Sequence, residues 1–191
     1  MEEILAGNEL METLDDYLPL RRSLSRSDFL KRHPHPFLIE NVRLLRESEK
    51  KNLDFATVQI NFNDPAPPPA VGTAGPQRCG VRKIVKQESN AFDGMVNVGR
   101  TATNDIALDL QSVSKFHAYF TRDSATGDCY LTDPGSTNGT HVRGLRLKPR
   151  ERKLLGEGDE IGFGDQATFA FYYAGGFYDL LGRLPGGAVT P

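Results

Sequence analysis

Residues 95–140 read MVNVGRTATNDIALDLQSVSKFHAYFTRDSATGDCYLTDPGSTNGT, and this stretch decides the fold class. Short apolar runs recur in it, namely Met95-Val96-Asn97-Val98, Ile106-Ala107-Leu108, Ala118-Tyr119-Phe120 and Cys129-Tyr130-Leu131. Such runs are too short for helices, and turn-forming clusters at Asp123 to Asp128 and Pro134 to Gly139 separate them. The pattern continues on both sides. Ile84-Val85 and the turn cluster Ser89 to Gly94 precede it, and the turn Gly156 to Asp159 and the run Phe169-Ala170-Phe171-Tyr172-Tyr173 follow. Many short strands without long intervening helices define an all-β fold, an antiparallel β-sandwich.

At 191 residues the chain exceeds one such core and leaves room for a flank. A formal net charge of −2 excludes a global attraction to nucleic acid or anionic membrane, so any anion site must be local. Cys79 and Cys129 lie in no CxxC pattern and lack histidines at metal-ligand spacing, which reads as two reduced thiols. The acidic start MEEILAGNELMETLDD is unlike a basic secretory leader, and no apolar run approaches the ~20 residues of a membrane span. The expected location is cytoplasmic.

Ahead of the strands, Leu10, Leu14 and Leu18 recur at helical spacing, which predicts an amphipathic helix over Glu9 to Leu18, stopped by Pro19. A second, short helix is expected over Ser27 to Arg32 with Ser27 as N-cap, stopped by the His-Pro repeat of His33 to Pro36. His33 and His35 have no further ligands at suitable spacing, so no metal is expected there. Val58, Ile60 and Phe62 alternate with polar residues as a strand would, and the Pro-rich run Asn63 to Arg78 reads as a linker or exposed loop. Phe177 to Leu181 forms an apolar helical turn expected to pack back on the sandwich, and the tail from Pro185 reads as disordered. The resulting division is 1–52 helical and regulatory, 53–80 strand plus linker or loop, 81–174 sandwich, and 175–191 helical turn and tail.

Three polar segments punctuate the strands where a sandwich gathers its loops: Gly99-Arg100, Ser112 to His117, and Asp133 to Thr140. Arg100 offers a fork of donors matched to phosphate oxygens, and the hydroxyls of Ser114 and Thr137 each add one hydrogen bond. Lys115 adds a compact positive charge, unless strand alternation turns it away. Alone, each residue has a plainer reading as a surface charge or turn hydroxyl, and Asn138-Gly139 as a tight turn.

In order and spacing, Gly99-Arg100, Ser114-x-x-His117, Asp133-x-x-Ser136-Thr137-Asn138-Gly139-Thr140, Gly158-Asp159 and Phe163-Gly164 resemble a forkhead-associated (FHA) domain. The resemblance covers about Val81 to Tyr173, reaching back to the strand at Val58 to Phe62 if the Pro-rich segment is a loop inserted between early strands, and it leaves the N-terminal helices outside. It implies an eleven-stranded sandwich whose loops at one end grip a phosphothreonine peptide. It further implies that Arg100, Ser114 and Thr137 contact phosphate, that Lys115 assists, and that Asn138 bonds the peptide main chain. Gly99, His117 and Gly139 would support the site. Lys115 stands where many relatives carry arginine, replacing a bidentate grip by a point charge. Ser112, near the position that reads the third residue after the phosphothreonine, is small and uncharged, so no charge preference there is implied.

His117 three residues after Ser114 suggests a base beside a nucleophile, but no orienting acid or oxyanion hole accompanies them, so no enzyme is expected. The expected function is a phosphothreonine-dependent adaptor or regulator in Ser/Thr kinase signalling. Its partner would be a phosphothreonine-containing protein, a Ser/Thr protein kinase among the candidates, with no cofactor. The alternative is an assembly subunit using the sandwich as a phosphate-independent interaction surface. Thr13, if phosphorylated, is also a candidate ligand for the domain's own site or for a second copy, against the plainer reading of an unmodified docking helix.

Overall fold

The computed structural model describes residues 12–40, 79–88, 90–184 and 187. In chain order the elements are helices α1 (Leu14–Ser23) and α2 (Arg26–Arg32), then strands β1 (Phe37–Glu40), β2 (Val81–Lys83), β3 (Met95–Gly99) and β4 (Ile106–Ala107). Next come β5 (Ala118–Arg122), β6 (Cys129–Thr132), β7 (Thr140–Val142), β8 (Leu145–Arg146), β9 (Arg152–Leu154), β10 (Asp159–Phe163) and β11 (Ala167–Tyr172), and finally helix α3 (Ala174–Arg183). The strands form two sheets in the orders β2-β1-β11-β10-β7-β8 and β4-β3-β5-β6-β9. Pairing is antiparallel throughout except between β3 and β4, where Val98 and Gly99 run parallel to Ile106 and Ala107.

Alternation builds the inner layer. Val96, Phe120 and Leu131 sit opposite one another across β3, β5 and β6 and face the second sheet, where Ile161, Phe163, Phe169 and Phe171 meet them in one cluster. Each such side chain contributes about 1.5–3 kcal/mol by leaving water.

The six-stranded sheet is covered on its other face too. In the register Phe37↔Tyr172, Leu38↔Phe171 and Ile39↔Ala170, Leu38 and Phe171 enter the inter-sheet core. Phe37, Ile39, Ala170 and Tyr172 point instead into a second core beneath the helices. Tyr17 of α1, Phe29 of α2, and Phe177, Tyr178, Leu180 and Leu181 of α3 complete that core. Phe177 is central, with ring centroids 4.3 Å from Phe37 and 5.0 Å from Tyr17. Burial on both faces explains why these strands read as unbroken apolar runs. It also places β1 inside the sandwich, in a segment whose sequence suggests only helices.

Two helix boundaries differ from expectation. α1 begins at Leu14 and continues through Pro19 to Ser23. Its start is fixed by Asp16, whose carboxylate accepts from the Thr13 backbone N–H (2.7 Å) and hydroxyl (3.0 Å). Proline forfeits one helical hydrogen bond, but it lies on the exposed side while Leu14, Tyr17 and Leu18 are buried against the sheet. The N-cap of α2 is Ser25, whose hydroxyl accepts from the Asp28 N–H at 3.1 Å, and Ser27 lies within the first turn. α3 packs back on the sandwich as its sequence suggests. The strand expected at Val58 to Phe62, the Pro-rich run and the tail fall outside the described residues, Gly187 excepted.

His33 and His35 belong to the aromatic packing around Phe37, with ring centroids 5.9 Å apart, and burial lowers the pKa of both. Cys79 and Cys129 are buried thiols outside any disulfide, and burial pushes them up to about 11 and about 12. Among the described residues no helix is long and apolar enough to cross a membrane.

Candidate functional site

Gly99 ends β3, and its missing side chain sets the site's spacing. A Cβ there would collide with the Lys115 carbonyl oxygen and come within 2.8 Å of the Asn104 side-chain nitrogen. Without it, the 112–117 loop lies against the strand, joined by Arg100 N–H to Ser114 O (2.9 Å) and His117 N–H to Val98 O (2.8 Å). Asn104 donates to Lys115 O at 2.7 Å and Thr101 O at 2.9 Å, holding the same loop from beneath. Arg100 is thereby set beside Ser114 and Lys115.

The third segment, 133–140, is wound around one carboxylate. Asp133 is 3% exposed and accepts from Gly135 N–H (2.8 Å), Ser136 N–H (2.6 Å), the Ser136 hydroxyl (2.7 Å) and Thr140 N–H (2.8 Å). Burial pushes this carboxyl upward, but the hydrogen bonds from Ser136, Gly135 and Thr140 outweigh it and hold the pKa below the usual range. Gly139 takes a φ of +83°, the left-handed conformation that the tight turn requires.

His117 joins the two loops. Fully buried, its Nδ1 accepts the Ser114 N–H at 3.0 Å, which leaves Nε2 as the protonated nitrogen, donating to Gly139 O at 3.2 Å. Both ring positions serve the scaffold, so this is a neutral strut. Burial lowers its pKa, against the Gly139 hydrogen bond and the nearby Asp133 charge. For a base with a lowered folded pKa, the stabilisation is fully present above the unfolded value of ~6.5 and drains as pH falls from there toward the folded value. The urea midpoint of the peptide-free protein is therefore expected to fall between pH 7.5 and 5.5, and His117→Asn to flatten that slope.

The loops close around a cleft of about 280 Å³ lined by Arg100, Ser114, Lys115, Thr137 and Asn138, with Gln111, Ser112 and Val113. All five residues expected to contact a phosphopeptide thus converge. Ser114 Oγ lies 3.3 Å from Thr137 Oγ1 and accepts the Thr137 N–H at 3.1 Å. Lys115 lies in a bend rather than a strand, so alternation does not turn it away. Asn138 spends one amide hydrogen on Ser112 O at 2.8 Å, tying the two loops together. Among the described residues the Arg100 guanidinium has no ion-pair partner, and the lining contains no carboxylate. Two cations and two hydroxyls facing one small space suit a compact, multiply charged oxyanion.

A larger cleft of about 350 Å³ lies among Pro34, Ile84, Met95, Phe120 and Cys129, where the lining is mainly apolar and does not suit an anion. The sequence reading missed the positioning work of Asn104 and recognised Asp133 only as part of a motif. The Asp-x-x-Ser spacing was the available signal for the latter, since it allows a side chain to close its own turn.

Residues 96–164 match the family model described as FHA domain, the forkhead-associated family that the order and spacing of the site residues resemble. Over 86 residues the chain is 40% identical to the oxoglutarate dehydrogenase inhibitor of Corynebacterium jeikeium, covering 44% of this chain and 51% of that protein. It is 33% identical over 91 residues to the FHA domain-containing protein PS1 of Arabidopsis thaliana, covering 48% of this chain and 6% of that protein. Among solved structures, the FHA domain of an Arabidopsis thaliana hypothetical protein is similar at 31% identity with a TM-score of 0.39, covering 41% of this chain and 66% of that one. Mycobacterium tuberculosis EmbR in complex with a low-affinity phosphopeptide matches at 31% identity with a TM-score of 0.38, covering 42% and 20%. The chain spans about half the length, or less, of the curated relatives it matches.

Proposed function

We propose that this chain is a phosphothreonine-dependent protein-binding module, an adaptor or regulator in Ser/Thr kinase signalling that binds and does not catalyse, acting in the cytoplasm. The observation that carries this reading is the convergence of Arg100, Ser114, Lys115 and Thr137 on one carboxylate-free cleft inside the stretch that matches the FHA domain model. In this reading Arg100 forks onto two phosphate oxygens, and the Ser114 and Thr137 hydroxyls donate to the phosphate. Lys115 adds charge, and the free amide atoms of Asn138 meet the peptide backbone. A regulatory role also agrees with the naming of the Corynebacterium relative as an enzyme inhibitor.

Phosphothreonine brings −1.5 to −2 charges and three strong acceptors, where threonine brings one neutral hydroxyl. With about 1.5–3 kcal/mol for each bond to the charged group, loss of phosphate would remove most of the ~8 kcal/mol of a micromolar complex. Calorimetric titration with a degenerate phosphothreonine peptide pool and its unphosphorylated counterpart tests this. Binding is expected only for the first pool, and equal binding to both would sink the proposal.

A further inference from the structure

Residues 143–153, RGLRLKPRERK, carry six cations (Arg143, Arg146, Lys148, Arg150, Arg152 and Lys153) against Glu151 alone, in a chain whose net charge is −2. β8 and β9 are the end strands of the two sheets, joined directly by residues 147–151, so the run borders both sheets on one side of the sandwich. Two of the six are occupied: Arg143 pairs with Asp159, and Arg152 stacks over the Tyr130 ring at 3.6 Å. Arg146, Lys148, Arg150 and Lys153 have no ion-pair partner among the described residues. Glu151, exposed, accepts the Lys148 backbone N–H at 3.1 Å.

This run is continuous with the phosphate cleft. The Arg146 guanidinium lies over Gly139, so close that a Cβ there would come within 2.9 Å of its Cζ. Gly139 directly follows Thr137 and Asn138, both in the cleft lining. Backbone bonds from Leu147 N–H to Thr140 O (2.9 Å) and Arg150 N–H to Asp133 O (2.6 Å) tie the cationic run to the same loop. Arg150 is held at a φ of +66°, a region that side-chain-bearing residues rarely occupy.

We propose that Arg146, Lys148 and Arg150 extend the phosphothreonine cleft into a reader of acidic residues flanking the phosphothreonine in the same peptide, an inference that rests on the phosphothreonine reading above. A surface charge run is ordinarily only solvated. Here the unpaired cations begin one residue from the cleft lining and are fixed to its loop. An acidic flank running past Asn138 meets them without any rearrangement, and like-charged or neutral flanks gain nothing.

The test uses the full chain and three phosphothreonine dodecamers, identical except for alanines on both sides, glutamates before, or glutamates after the phosphothreonine. Fluorescence anisotropy at low salt is expected to show one glutamate peptide binding about fivefold more tightly than the alanine peptide, with the advantage shrinking as salt rises. Arg146→Gln should bring that ratio close to one. Because Arg146 packs on the loop, Lys148→Ser with Arg150→Asn is the second variant; asparagine tolerates the left-handed conformation. It should lower the ratio while the alanine peptide binds as before.

Equal affinity for the three peptides in the native protein, or a ratio untouched by both variants, overturns the extension alone. Failure of all three to bind sinks the phosphothreonine reading and the extension with it. A short DNA duplex that displaces the glutamate peptide, and loses that ability in both variants, would assign this edge to nucleic acid instead and equally overturn the proposal.

Discussion

Arg100→Ala is expected to weaken phosphothreonine-peptide binding about a hundredfold, since two charge-assisted bonds at about 1.5 kcal/mol each are lost. The protein should remain as stable as before. Its fixed contribution to the scaffold is the backbone bond from Arg100 N–H to Ser114 O, which any residue except proline supplies, and the guanidinium has no ion-pair partner to abandon among the described residues. Arg100→Lys keeps the charge and loses the fork, so it should fall between the two, about tenfold weaker than native. Calorimetry gives the affinities and urea unfolding the stability. Undiminished binding by Arg100→Ala would place the phosphate elsewhere, and capture of a partner untouched by this variant and by phosphatase would favour the assembly-subunit alternative.

Asp133→Ala attacks the same function through the scaffold. It leaves the N–H groups of Gly135, Ser136 and Thr140 without their acceptor, and Thr140 is fully buried. Unpaired buried donors cost about 1–3 kcal/mol each, and partial hydration of the more exposed two limits the total to about 3–4 kcal/mol. Against a typical stability of about 5–15 kcal/mol the domain should still fold, with a much lower denaturation midpoint. Phosphopeptide binding should be lost along with it, because Thr137 and Asn138 ride on the turn this carboxylate closes.

Asp133→Asn preserves shape but presents donors where the native residue only accepts, and should lie between. The carboxylate also makes stability acid-sensitive. With its folded pKa lowered, its contribution is fully present above the unfolded value of ~3.9 and lost as pH falls through the folded one. Asp133→Ala should make the acid limb of the pH profile shallower, leaving the share of other carboxylates held low, such as Glu12 beside Lys83 and Tyr17.

Legibility in the sequence followed burial. β3, β5 and β6 could be read because Val96, Val98, Phe120 and Leu131 enter the inter-sheet core while Tyr119, Thr121 and Tyr130 are partly exposed on the other face; Asn97 alternates with them in the sequence but is itself buried. β1 could not, because Phe37, Leu38 and Ile39 are buried on both faces and no period survives. Its partner β11 also lies more than a hundred residues away, beyond the reach of any local pattern. β8 failed for the opposite reason, since both its residues are exposed. The start of α1 was misplaced because the leucine spacing runs through Thr13, whereas the Asp16 carboxylate decides where the turns begin.

In the site, residue type and spacing announced the five cleft residues, which chemistry demands at the surface of any such module. The supports were harder to read. That Asn104 holds the Lys115 carbonyl, or that Arg146 covers Gly139, depends on strands meeting across the fold, and no neighbour in the chain signals it.

The position of β1 between β2 and β11 has a practical corollary for anyone cutting the protein down. A fragment limited to residues 81–174 would contain every loop of the cleft, yet it would strip β11 of its neighbour and bare Phe169 to Tyr172 along an unsatisfied row of amides and carbonyls. Such a border invites another molecule to add its own strand. The minimal recombinant unit therefore starts before Thr13 and ends after α3, and shorter pieces should be recovered as aggregates rather than monomers.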